Sequence, residues 1–119
     1  PKGSWLIVGS AGYEEGALQD LAADVVFLGV GGLGTQTDEY RATFWRETVA
    51  AVSPRRVIPI HYDSLTGPIE GPFTGPVLAA AFLSGGRDEL YTFLKERERA
   101  QPELRFQTLP RYRPVVLFQ

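Results

Sequence analysis

The sequence predicts an α/β domain with a mixed, mainly parallel sheet and helices on one face. Three observations carry that expectation. Short continuous apolar runs (Trp5-Leu6-Ile7-Val8, Val25-Val26-Phe27-Leu28 and Val57-Ile58-Pro59-Ile60) alternate with segments of helical periodicity. All three runs are apolar at every position, as strands buried on both faces are. Few helices are available, which leaves one face of such a sheet short of cover. At 119 residues, 1–119 reads as one domain.

The elements follow in order. Trp5 to Val8 is the first strand, ended by Gly9. Gly9-Ser10-Ala11-Gly12 is a turn, because its glycines allow positive φ. A short helix is expected from about Gly16 to Ala23, with Leu18, Leu21 and Ala22 inward. Val25 to Leu28 is the second strand, and glycine-rich Gly29 to Gly34 closes it. Thr37 is a good N-cap, and Asp38 and Glu39 complement the helix dipole. That helix should run to about Val52, with Trp45, Val49 and Val52 on one face and Ser53-Pro54 as its stop. Val57 to Ile60 is the third strand. Pro59 lacks an N–H, so it favours an edge or the last paired position.

Ser64 to Pro76 is rich in Gly and Pro and is expected to be a loop. Val77 to Leu83 reads as a buried strand or a helical turn. Gly85-Gly86 precedes a helix from about Arg87 to Ala100, with acidic residues at its start, basic ones near its end, and Leu90, Phe93 and Leu94 inward. Leu104 to Leu109 and Val115 to Phe118 are expected as two last strands, split by turns at Pro110 and Pro114.

Composition narrows the function. Hydrophobic residues make up 44% and charged residues 22%, as in a soluble globular chain. A net charge of −2 gives no basic surface for nucleic acid or an anionic membrane. Arg41 with Arg46, and Arg97 with Arg99, have acidic neighbours and read as solvated faces. With no Cys there is no disulfide and no thiolate chemistry. The run Val77 to Leu83 is too short to span a bilayer. No basic-then-apolar segment opens the chain, so a cytoplasmic location without a signal peptide is expected. The early first strand and the absence of Met read as a start within a larger fold.

Chemistry has one anchor. His61 is the only histidine, delivered by the third strand and followed by Tyr62 and Asp63. It reads either as a hydrogen-bonded structural residue or as a metal ligand, with Asp63 adding an oxygen or orienting the imidazole. Asp20, Asp24 and Asp38 show no ligand spacing with it. Gly29-Val30-Gly31-Gly32-Leu33-Gly34 matches G-x-G-x-x-G, a nucleotide pattern, but Thr35-Gln36-Thr37 delays the helix that must meet the phosphates. The bland reading is a tight connecting loop. Ser10 after a strand is a candidate nucleophile with Asp38 and His61 in triad order. Val8 stands where the elbow requires glycine, so the alternative is a serine bonded within a turn.

Taken together, Trp5 to Gly12, Ala23 to Gly29 and Val57 to Asp63 resemble the C-terminal half of metallo-β-lactamase-fold metallohydrolases. The resemblance covers most of the chain to about Phe73. It implies half of an αββα sandwich, with His61 as the last metal-ligand histidine in the cleft between halves. It places Ser10 where many members carry a metal-bridging aspartate. The half that holds the family's H-x-H-x-D-H motif has no counterpart in this sequence. The implied protein is a stand-alone half, non-catalytic by itself, with a remnant pocket near Ser10, Gly31, His61 and Asp63. It binds no cofactor alone, and zinc or another divalent metal only if a partner completes the site. A homodimer or a partner chain would cover the sheet's apolar face. The alternatives are a metal-dependent hydrolase assembled from more than one chain and a small-ligand or nucleotide module using the glycine loop.

Overall fold

The computed structural model describes residues 3–61, 87–110 and 113–118. Asp63, the expected loop from Ser64 and the apolar run Val77 to Leu83 lie outside them. The described chain is an α/β layer. Strands β1 (Trp5–Val8), β2 (Val25–Gly29), β3 (Arg56–Ile60) and β4 (Arg105–Phe106) form one sheet in the order β1-β2-β3-β4. All three ladders are parallel, so the antiparallel component expected from the sequence is not found among the described residues. Helices α1 (Asp38–Thr48) and α2 (Arg87–Ala100) supply the second layer. No described helix is long and apolar enough to cross a membrane.

The strand order explains the layering. Parallel strands are joined by right-handed crossovers. When each strand adds to the same side of the last, every crossover falls on the same face. Val26, Leu28 and Val57 point to that face and share one core with Phe44, Trp45 and Val49 near α1 and with Leu90 and Phe93 of α2. Trp45 joins the layers: its ring meets Phe93 edge-on at 6.1 Å and stacks near Phe106 at 6.1 Å.

The opposite face behaves differently along its width. By register it carries Trp5, Ile7, Val25, Phe27, Arg56, Ile58 and Arg105. Val25 and Ile58 are buried, but Trp5 and Ile7 are 57% and 54% exposed. The expectation that β1 is buried on both faces is therefore overturned. Among the described strands it is an edge strand, and no described layer covers its outer face; Trp5 leans on Phe27, ring centres 6.2 Å apart.

Three other expectations change. The segment Gly16 to Ala23 is a run of turns, not a helix. Its bonds span three residues, as in Gln19 N–H to the Gly16 carbonyl at 3.3 Å. Gly16 takes φ 72°, and Leu21 is exposed while Leu18 packs on the core. Of Leu18, Leu21 and Ala22 only Leu18 turns inward, which does not offset the cost of nucleating a short helix. The expected strand from Leu104 shrinks to Arg105–Phe106, and residues 113–118 form no strand pairing. Thr37 does cap α1, its hydroxyl accepting from the Tyr40 N–H at 3.0 Å, and the continuation to Val52 is a separate 3-10 turn. Pro59 lies beyond the β4 pairing, which ends at Val57.

Candidate site at the C-terminal edge of the sheet

The three strands release their chains at one edge. β1 leads to Ser10, β2 to Gly29-Val30-Gly31, and β3 to His61. The Val30 N–H donates to the Ile60 carbonyl at 3.1 Å, which holds the glycine loop beside the exit of β3. Side chains are excluded where these backbones meet. A Cβ on Gly29 would stand 2.6 Å from the Val8 carbonyl oxygen and 2.8 Å from the Ser10 nitrogen. A Cβ on Gly31 would stand 2.6 Å from the His61 carbonyl oxygen and 3.2 Å from its Nδ1. Gly31 thus lets the imidazole lie against the loop. His61 itself is exposed and sits at φ 57°, in the left-handed region.

Ser10, Gly31 and His61 accordingly share one edge. Ser10 and His61 flank β2, so about two strand spacings, ~10 Å, separate their backbones. No hydrogen bond joins any two of Ser10, Asp38 and His61, and Asp38 is paired with Arg41. The triad order in the sequence is not a triad in space. Asp24 lies at the opposite end of β2 from His61, so it is no candidate ligand. Among the described residues no group of three or more His, Cys, Asp or Glu gathers around a point. The imidazole can ligate a metal in its neutral form. Asp63, expected from the sequence to add an oxygen or to orient the imidazole, is outside the described residues.

The glycine loop is built for a tight crossing. It enters the 3-10 turn Leu33–Thr35, and α1 begins only after Thr37. Asp38 and Glu39 then place negative charge at the helix start, where a phosphate would have to sit. Arg41 fastens this loop. It is buried, contrary to its reading as part of a solvated face, and Nη1 donates to the Gly34 carbonyl at 3.1 Å and to the Gln36 carbonyl at 2.6 Å. A third guanidinium bond, from Nη2, goes to Asp38. The sequence held a faint signal, an acidic residue three positions earlier on the same helix face. Arg46 does remain solvent-exposed, and Arg97 lies over the Phe93 ring at 5.3 Å.

The Asp24 carboxyl is held below its ordinary 3.8, chiefly by the Ser4 backbone N–H, with the Ser4 hydroxyl and the Arg55 guanidinium adding to it. It ties the starts of β1, β2 and β3 together: Oδ2 accepts from the Ser4 N–H at 2.8 Å and Oδ1 from Arg55 at 3.1 Å.

No family model matches this sequence, and neither the curated proteins nor the solved structures contain a match.

Proposed function

We propose that this domain is half of a two-sheet sandwich of the metallo-β-lactamase kind, and that its role is to dock a second sheet rather than to catalyse alone. One observation carries this reading. Both described helices lie on one face of the sheet, while Trp5 and Ile7 stand more than half exposed on the other, beside Phe27. Large apolar side chains grouped on a sheet face mark a surface that another layer covers. The second sheet comes from another copy of the chain, related by a two-fold axis, or from a partner chain.

The solution mass tests the proposal. The wild-type chain should be dimeric by light scattering at micromolar concentration, and Trp5→Glu with Ile7→Glu should leave it monomeric. A strictly monomeric wild type removes the homodimer and leaves only a partner chain.

The position of His61 favours a second reading, a metal-dependent hydrolase completed by another chain. There, neutral imidazole is one ligand, carboxylates complete the shell, and zinc or another divalent metal activates water. Metal analysis of the assembled protein decides this. Stoichiometric zinc, iron or manganese that falls in His61→Gly supports it, and a substoichiometric content under saturating metal sinks it.

A further inference from the structure

We propose that Arg56 and Arg105 form a binding site for a single oxyanion head group, at the N-terminal edge of the sheet and at the opposite end of β3 from His61. The two residues are register partners on adjacent parallel strands. Their side chains therefore leave the same face, roughly 4.8 Å apart at the backbone. Both line a small cavity of about 10 Å³ together with Leu117 and Phe118.

The chemistry of this pair is unfinished. Arg56 is 5% exposed. Its Nη1 donates to the Val116 carbonyl at 3.0 Å, but its buried Nε has no hydrogen-bond partner. A guanidinium grips an oxyanion side-on with Nε and the neighbouring Nη2, and Nε belongs to that edge. Among the described residues no carboxylate pairs with Arg56 or Arg105. Asp24 borders the same cavity, but its bonds go to Ser4 and Arg55 and none reaches Arg56 or Arg105. A buried cation without a counter-charge is expensive, and an orphaned donor adds to that cost. An anion bridging Arg56 and exposed Arg105 removes both penalties.

The cavity has about the volume of one water, so it admits a single oxygen of the head group, the rest of which lies outside it beside exposed Arg105. Inorganic phosphate and the side-chain carboxylate of another polypeptide share the required chemistry.

Thermal unfolding of the full chain tests the site. Inorganic phosphate and N-acetylglutamate α-amide are titrated separately at constant ionic strength, against sodium chloride. At least one probe should raise Tm saturably, by roughly 5 °C at ten times Kd. Arg105→Gln, at an exposed position, should weaken that probe about ten-fold, the loss of one charged hydrogen bond. A stronger response to phosphate identifies a free ion as the ligand, and a stronger response to the capped glutamate identifies a side chain. The proposal is overturned if neither probe exceeds chloride, or if Arg105→Gln responds as the wild type does.

Discussion

His61 occupies a backbone conformation that an L-residue adopts at a cost of about 1–2 kcal/mol. Glycine would relieve that cost but would loosen the unfolded chain by about 0.5–1 kcal/mol. The His61→Gly variant should therefore unfold in urea within about 1 kcal/mol of the wild type. A loss above about 2 kcal/mol would make the imidazole a structural group. Asp24 gives the pH counterpart. Its folded pKa is lowered, so its stabilising bonds are fully present above the ordinary carboxylate range and are lost as pH falls through the folded value. Asp24→Asn should be less stable than the wild type at neutral pH, and the gap should close on acidification. A gap that stays constant with pH, measured by denaturation at several values, would show that the charge is irrelevant. The sequence singled out His61 because no other histidine competes with it. It gave no warning about Arg56, whose isolation depends on which neighbours the fold brings near.

At the scale of elements, the connection between β2 and α1 is held by a side chain rather than by its own glycines. Arg41 satisfies the Gly34 and Gln36 carbonyls from a buried position. Its exposed partner Asp38 adds little, because water screens that charge. Arg41→Met should lower stability by about 2–3 kcal/mol, the loss of charged bonds to the Gly34 and Gln36 carbonyls. Arg46→Met, a few residues along the same helix, should change it by less than about 0.5 kcal/mol. Equal effects in chemical denaturation would refute the distinction. The local signals for α1 were strong, since Thr37, the acidic first turn and the apolar face all agree. The signals for Gly16 to Ala23 were three small or apolar residues at helical spacing, and only Leu18 found a core to join.

At the scale of the molecule, the monotone strand order decides where the apolar surface lies. Among the described strands such an order offers no switch point between crossovers of opposite sense, the place where open α/β sheets bind nucleotides. It leaves Trp5 and Ile7 on the uncovered side of an edge strand. Burying either side chain in an interface contributes about 1.5–3 kcal/mol, whereas charging it on an open surface changes folding stability little. Trp5→Glu with Ile7→Glu should therefore abolish association while leaving the monomer's denaturation midpoint nearly unchanged. A monomer that also unfolds more easily would place these residues in the fold's own core.

The sequence by itself determined the α/β alternation, the first three strands, both helices and the cap at Thr37. Those features depend on residues near one another in the chain. Only the tertiary structure decided that β1 is an edge, that Arg41 is buried, that Ser10 and Asp38 do not join His61, and that Arg56 and Arg105 stand together with no described carboxylate paired to either. Each of those facts depends on which segments become neighbours across the sheet. Strand order and crossover hand set that, and no local pattern encodes it.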